Sequence, residues 1–97
     1  MANLVVYYPR TAGADFDPAY YAGTHIPLVE SSWRPHGLRS ADILWPVDGE
    51  QPFVCMVTLG FPDQAAIDAA LAAPETGEVM ADVARFTTIQ PGIYRTE

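Results

Sequence analysis

The chain is poor in basic residues and in cysteine. Its 97 residues include only five Lys plus Arg against twelve Asp plus Glu, so the formal net charge is −7. Because an acidic surface repels phosphate groups, this balance argues against nucleic acid and against an anionic membrane surface as partners. The single cysteine, Cys55, excludes an intrachain disulfide and a zinc site built on several cysteines.

Several motifs are also missing. The N-terminus has no basic and apolar leader, and no apolar run approaches the length of a membrane span. There is no glycine-rich phosphate loop, no dinucleotide fingerprint and no Gly-x-Ser-x-Gly nucleophile motif. The two histidines lie far apart, with no Cys or carboxylate at helical spacing. We therefore predict a cytoplasmic protein with no cofactor, no metal and no covalent catalysis.

The residues that are present predict one small globular domain over residues 1–97, since 49% of them are hydrophobic. β-branched and aromatic runs predict strands over residues 4–8, 38–47, 53–61 and, irregularly and at a sheet edge, 87–94. Apolar residues at helical spacing predict helices beginning at Pro18, at Pro62-Asp63 and at Glu75 or Thr76. This order is that of an α+β, ferredoxin-like βαββαβ fold with a four-stranded antiparallel sheet.

The predicted sheet is apolar on both faces. In the third strand the alternate set Phe53, Cys55 and Val57 is apolar, and so are Val54 and Met56 between them. Two helices cover only one face, and an antiparallel sheet whose other face meets water alternates apolar with polar residues. A second copy of the same sheet is the simplest cover, because two-fold dimers are the commonest oligomers. We therefore predict a homodimer through the sheet face, a dimeric α+β barrel.

The clearest local signals lie at the start of the first predicted helix. Asp17 is a good N-cap, because its carboxylate can accept from the unpaired N–H groups of the first turn. Pro18 suits the first helical position, where its missing donor costs nothing. Phe16 and Tyr21 fall at the hydrophobic-staple positions. A helix is therefore predicted to begin at Pro18.

His25 follows Tyr21 by one helical turn. The two side chains are predicted to stack on one face if the helix continues. Gly23 weakens the helix and Pro27 removes a backbone donor, which predicts a break or kink near residues 24–26. A further turn is predicted from Pro27 to residue 33, and the Pro-His-Gly sequence at 35–37 ends it.

Taken together, this segment resembles the signature of the EthD family, small proteins named for a bacterial ether-degradation cluster. The matching residues are Phe16, Tyr20, Tyr21, His25, Pro27 and Leu28. The resemblance continues in the all-apolar third strand and in residues 80–87, and it covers nearly the whole chain. It implies a ferredoxin-like subunit in a dimeric α+β barrel, with a hydrophobic cavity between sheet and helices. Relatives in the wider superfamily include cofactor-free monooxygenases, polyketide cyclases and dehydratases, muconolactone isomerases and haem-degrading enzymes, so no single reaction is implied.

Candidate site residues follow from the motif. His25 matches the family's histidine and is the candidate catalytic acid or base, because an imidazole titrates near neutral pH. The structural alternative is that His25 bonds a backbone carbonyl freed by the kink before Pro27. The predicted ligand-binding residues are aromatic walls or hydroxyl donors: Tyr7, Tyr21, Trp33 and Trp45.

Three further residues are assigned structural roles. Asp82 matches the family's carboxylate, but its helix predicts a surface, capping or ion-pair residue beside Arg85. Tyr20 cannot share a helix face with the adjacent Tyr21 and is predicted to be a core or rim residue. His36, between Pro and Gly, is predicted to lie in a loop.

The leading functional hypothesis is a homodimer that binds an apolar, aromatic or polyketide-like small molecule. In that hypothesis His25 acts in a cofactor-free dehydration, cyclisation, isomerisation or oxygenation. The alternative is a non-enzymatic ligand-binding or accessory protein of a degradation or biosynthesis pathway, built on the same barrel. A haem-handling barrel is a third possibility, disfavoured because few basic residues are present to meet haem propionates. The sequence leaves open whether the chain is an enzyme.

Overall fold

The computed structural model describes residues 1–97 and contains one four-stranded sheet with helices on one side. The strands are β1 (Ala2–Pro9), β2 (Ser40–Leu44), β3 (Phe53–Phe61) and β4 (Gly92–Thr96). The helices are α1 (Pro18–Tyr20), a π-helical segment (Tyr21–His25), α2 (Ile26–Trp33), α3 (Gln64–Ala72) and α4 (Thr76–Asp82), with 3₁₀ turns at Arg34–His36 and Val83–Arg85. All strand pairs are antiparallel, in the order β2-β3-β1-β4. The predicted α+β, ferredoxin-like order is confirmed.

Turn chemistry sets several element boundaries as predicted. Asp63 caps α3, since its Oδ1 accepts from the backbone N–H of Ala66 at 2.8 Å. Gly37 ends the first helical stretch with a φ of 110°, a left-handed conformation that side chains with a Cβ rarely adopt. β3 has the predicted bounds, and β4 lies at a sheet edge as Pro91 predicted.

Two predicted strands are too long. The second strand covers only Ser40–Leu44 rather than 38–47, because Leu38 still donates its N–H to Trp33 at the helix end and Pro46 has no donor. Residues 87–89 are not part of the last strand. Thr87 instead forms an isolated bridge with Phe16 and joins the segment after α4 to the start of the first helix.

The hydrophobic core lies between the sheet and the helices. Leu4 and Tyr8 of β1 and Val57 and Leu59 of β3 point to this side and are at most 2% exposed. Their alternation follows from the two-residue period of a strand, and Trp33, Ile67 and Val79 cover them from the helices. This layer encloses the candidate site.

The opposite face of the sheet has no helix over it. Val5, Tyr7 and Met56 are half-buried there, while Leu44 and Tyr94 are 51% and 63% exposed. The Tyr7 ring lies over Gly92, where any Cβ would collide with it. We call this apolar set, Val5, Tyr7, Leu44, Met56 and Tyr94, the open face.

An irregularity in strand pairing changes one predicted side-chain direction. Between Tyr8 and Pro9 the register with β3 shifts by one residue, so Pro9 pairs with Phe53. Phe53 therefore contacts Tyr7, with ring centroids 5.4 Å apart, rather than sharing the core face with Cys55 as predicted.

None of the helices is long and apolar enough to cross a membrane.

Candidate functional site

The start of the first helix positions His25. The Oδ1 of Asp17 accepts a hydrogen bond from the backbone N–H of Tyr20 at 3.1 Å, and Pro18 occupies the first turn, both as predicted. Residues Tyr21–His25 then widen into a π-helical turn, in which the N–H of Ile26 donates to the carbonyl of Tyr21. Of the predicted break or kink near residues 24–26, the break is absent, because the helix continues through this wider turn.

Pro27 accounts for the π-helical turn, and the turn sets how the Tyr21 and His25 rings are arranged. Pro27 has no N–H, and its ring would crowd the carbonyl four residues earlier in a regular α-helix. A wider turn relieves this conflict without ending the helix. The rings of Tyr21 and His25 then stack at 5.7 Å with an interplanar angle of 21°, which confirms that they share one face.

A carboxylate from the second half of the chain meets His25. The Nδ1 atom of His25 lies 2.9 Å from Oδ2 of Asp82, which is the last residue of α4. The two residues are only 4% and 8% exposed. The prediction that Asp82 is a surface or capping residue is therefore wrong, and so is the structural alternative in which His25 bonds a backbone carbonyl.

The other oxygen of the same carboxylate has two neighbours. The Tyr20 hydroxyl donates to Oδ1 of Asp82 at 2.8 Å, and the Nε of Arg85 lies 3.6 Å from that oxygen. The predicted Arg85 ion pair is present, but the exposed guanidinium adds little to stability. Tyr20 thus lies at the rim, one of its two predicted positions, but its hydrogen bond to Asp82 was not predicted.

Burial and hydrogen bonding set the charge states of His25 and Asp82. Burial lowers the pKa of His25, and the hydrogen bond and negative charge of Asp82 oppose this only in part. Burial alone would raise the pKa of Asp82, but the hydrogen bonds from His25 and Tyr20 leave it below its ordinary value. At neutral pH a neutral imidazole therefore faces a carboxylate. Because the carboxylate can only accept, the ring proton lies on Nδ1 and Nε2 keeps its lone pair.

His25 borders a cavity enclosed between the sheet and the helices. The cavity has a volume of about 130 Å³, and 14 of its 16 lining residues are hydrophobic. Its wall includes Val29 and Trp33 from α2 and Val57 and Leu59 from β3. Met80 and Ile93, which also line it, are more than half exposed and mark its opening between α4 and β4.

The size and lining of the cavity restrict its ligand. A volume of about 130 Å³ is close to that of dry protein cavities of roughly 150 Å³ that bind benzene. No lysine or arginine lines the cavity, so a ligand carboxylate or phosphate would have no positive partner there. The enclosed space therefore suits one neutral apolar ring.

Tyr21 contributes the one buried side-chain polar atom that has no hydrogen-bond partner, its hydroxyl oxygen. Burial raises the pKa of this hydroxyl, and the neighbouring Cys55 and Tyr8 raise it further, so it stays protonated. Burial likewise raises the pKa of the Cys55 thiol to about 11, so Cys55 is not a reactive thiolate at neutral pH. The Tyr21 hydroxyl is thus a protonated donor, buried beside the Cys55 thiol.

The predicted ligand-binding residues separate into two groups. Tyr21 and Trp33 line the cavity with His25, and the indole N–H of Trp33 donates to Thr76 at 2.9 Å. Trp45 is 46% exposed and packs on the outer side of the Tyr21 ring, while Tyr7 lies on the open face. Neither Trp45 nor Tyr7 lines this cavity.

No group of three or more His, Cys, Asp or Glu side chains is close enough to hold a metal ion. The second histidine, His36, lies in the predicted turn after α2, where its Nε2 is 3.0 Å from an oxygen of Glu75. His36 does not line the cavity.

The depressed pKa values of His25 and Asp82 predict a dependence of stability on pH. Below the ordinary histidine value of 6.5 the unfolded chain binds a proton at residue 25 before the folded protein does. The free energy of unfolding is therefore expected to fall as pH decreases from 6.5 through the lower folded pKa of His25. A second fall is expected below 3.8, where the unfolded chain protonates Asp82 first.

Urea unfolding at fixed protein concentration, at about pH 7.5 and about pH 5.5, checks the first of these falls. His25→Gln should remove it, and the matched variant His36→Gln should retain it. Equal pH dependence in wild type and His25→Gln would contradict the assignment.

Comparison with known proteins agrees with the fold and extends over most of the chain. The EthD domain profile matches residues 10–90. The chain belongs to the EthD family. Both segments that carry the motif, with His25 and Asp82, lie inside the matched range. No curated protein matches this EthD protein at a significant level.

Solved structures show the same architecture. An EthD-like protein from Ralstonia eutropha is similar with a TM-score of 0.83 and 28% identity, over 99% of this chain and 89% of that chain. An EthD family protein from Bacillus halodurans has a TM-score of 0.68 and 22% identity, over 95% and 96% of the two chains. SnoaB from Streptomyces nogalater, a cofactor-independent oxygenase, has a TM-score of 0.68 at 13% identity, over 99% and 92%. At 22% and 13% identity the likeness shows a shared fold alone.

Proposed function

We propose that this EthD protein binds a neutral, one-ring apolar molecule and that His25 moves a proton to or from it without a cofactor. The observation that carries the proposal is the 2.9 Å contact between His25 and Asp82 at the wall of an apolar cavity. A buried carboxylate on Nδ1 fixes the tautomer and leaves the Nε2 lone pair as the base. The cofactor-independent oxygenase of the same fold supports chemistry of this class.

The proposed step is proton abstraction from a carbon next to a carbonyl group. Nε2 of His25 takes the proton, the C–H bonding electrons form a carbon–carbon double bond, and the carbonyl π electrons move to oxygen, so that an enolate forms beside an imidazolium. The Asp82 carboxylate stabilises that imidazolium charge. Return of the proton restores the ketone, so the exchange balances without an oxidant or reductant. Dehydration, cyclisation, isomerisation and cofactor-free oxygenation can each begin with this step.

The enolate oxygen needs a hydrogen-bond donor in an apolar cavity. Tyr21 lines the cavity, and its buried hydroxyl oxygen, beside Cys55, lacks a hydrogen-bond partner by distance and angle. Because its pKa is raised by burial, it donates a proton to a hydrogen bond rather than losing it. We assign it this role.

Hydrogen–deuterium exchange in phenylacetone tests the proposal, since this one-ring neutral ketone has activated benzylic C–H bonds. In D₂O near neutral pD, the wild-type protein is expected to accelerate loss of the benzylic proton signals measured by NMR. His25→Gln keeps a side-chain donor for Asp82 but has no base, so its rate is expected to fall about 10²-fold or more. His36→Gln is the control and should exchange at the wild-type rate.

The same experiment separates the enzymatic proposal from ligand binding alone. Equal exchange rates with wild type and His25→Gln would contradict proton transfer by His25. Saturable binding of phenylacetone with no acceleration in any variant would instead support the alternative, a non-enzymatic binding or accessory protein.

We also propose that a second copy of the chain covers the open face. Its five apolar side chains form a continuous patch on a sheet without a helix layer, and Leu44 and Tyr94 are more than half exposed. Contiguous exposed apolar surface of this kind marks interaction sites in soluble proteins. An isologous two-fold contact pairs this patch with itself.

A further inference from the structure

We propose that Tyr20 is a positioning residue of the proton-transfer site, because its hydroxyl shares the Asp82 carboxylate with His25 and so limits how tightly His25 holds a proton. The inference concerns the same site as the proposed function and rests on it for its catalytic consequence. The coupling between Tyr20, Asp82 and His25 can be measured without any substrate.

The geometry divides the carboxylate between two donors. His25 donates to Oδ2 at 2.9 Å, and the Tyr20 hydroxyl donates to Oδ1 at 2.8 Å. Hydrogen bonds to an ionised carboxylate are about twice as strong as those between neutral groups. Both donors therefore stabilise the negative charge of Asp82, and neither is its sole hydrogen-bond partner.

Tyr20 and His25, five residues apart along the helix, reach opposite oxygens of Asp82. Tyr21 points into the core and stacks on His25, so Tyr20, about 100° away around the helix, reaches the rim. The Tyr20 ring lies against Phe86 with centroids 6.2 Å apart and an interplanar angle of 24°. Phe86 also packs on His25, at 4.6 Å between centroids, so one aromatic ring fixes both donors.

The other titratable groups around His25 do not supply this coupling. Arg85, from the turn after α4, lies 3.6 Å from the same Oδ1 but is 73% exposed, so solvent screens it. Tyr21 from the same helix and Tyr8 from β1 line the cavity as neutral phenols, since burial raises the pKa of each. Tyr20 is thus the neutral donor that competes directly for Asp82.

Loss of the Tyr20 hydroxyl should strengthen the pull of Asp82 on His25. Without that donor, the carboxylate charge is less stabilised at Oδ1, and the imidazolium becomes its main partner. The pKa of His25 should therefore rise, and a smaller fraction of His25 would be a neutral base at neutral pH. Tyr20 thus reduces the rise in the pKa of His25 that the Asp82 carboxylate causes.

NMR titration of the two histidine ring signals tests the inference in the intact protein. Tyr20→Phe is expected to raise the His25 midpoint by about 0.5 pH unit, which corresponds to a fraction of one hydrogen bond to a charged group. The His36 signal is identified by its loss in His36→Gln. Tyr94→Phe removes a hydroxyl from the open face and should leave the His25 midpoint unchanged.

An unchanged or lower His25 midpoint in folded Tyr20→Phe would overturn the proposal. Tyr20→Leu, which also lacks the hydroxyl, serves as a second variant and should shift the midpoint in the same direction. A merely structural Tyr20 would change the unfolding midpoint without moving the His25 titration.

If phenylacetone exchange is absent while the shift is present, the proposed reaction fails but the coupling stands. If exchange occurs, the rising limb of its pH profile should move up by the same amount in Tyr20→Phe.

Discussion

Asp82→Asn is expected to lower the rate of phenylacetone exchange by about 10²-fold or more, nearly as much as loss of His25 itself. The change removes the negative charge that stabilises the imidazolium, so the pKa of His25 should fall further. It also removes control of the tautomer, because an asparagine amide can donate to Nδ1. The ring proton then lies on Nε2, and the nitrogen left for the cavity has no lone pair to act as a base.

Asp68→Asn is a matched control for this effect. Asp68 is an exposed carboxylate on α3 that pairs with Arg95 at 2.8 Å, and neither residue lines the cavity. It should keep wild-type exchange, because exposed ion pairs contribute little. Asp82→Asn with more than about a third of wild-type exchange would show that the carboxylate is not part of the reaction. Circular dichroism of both variants ensures that a folded protein is compared.

The sheet was predictable from the sequence because its signals are local. The apolar run of β3 is bounded by Pro52 and Pro62, and its bounds match the structure. Asp63 and Gly37 supply a cap and a left-handed helix end, which depend on their own chemistry rather than on distant contacts. β2 was predicted to begin too early, because Leu38 bonds to Trp33 at the helix end, a contact that its own composition does not show.

The π-helical turn shows where local rules conflict. Gly23 and Pro27 both disfavour a regular helix, so a break or kink was predicted. The buried stacking of Tyr21 on His25 and the packing of Ile26 and Val29 in the core favour keeping the helix. Tertiary contacts therefore replace the break with one wider turn.

Asp82 was misplaced because its partners are far away in sequence. His25 lies 57 residues from it, and no local pattern links them. A weaker signal was present: Asp82 is three residues after the buried Val79, a spacing that puts both on one helix face. A carboxylate on a buried face requires donors, and His25 and Tyr20 come close to Asp82 only in the tertiary fold.

A charged substitution on the open face is expected to change the oligomeric state. Met56→Arg is expected to convert the proposed homodimer into a monomer, with at least a 10²-fold rise in dissociation constant, roughly 3 kcal/mol or more. Met56 is half-buried in the middle of the face, paired with Tyr7 on β1 and Leu44 on β2. In a two-fold contact an arginine at this position brings two guanidinium groups into one apolar interface without acceptors.

Sedimentation equilibrium of wild type and variants at micromolar concentration measures this change. Ala69→Arg adds the same charge on an exposed position of α3, in the helix layer, and should leave the mass unchanged. Met56→Leu keeps the apolar surface and should remain dimeric. A wild-type monomer, or a Met56→Arg protein as dimeric as the control, would contradict the proposed pairing. Because the cavity lies on the other side of the sheet, a folded Met56→Arg monomer should still bind phenylacetone, which separates assembly from the chemistry of His25.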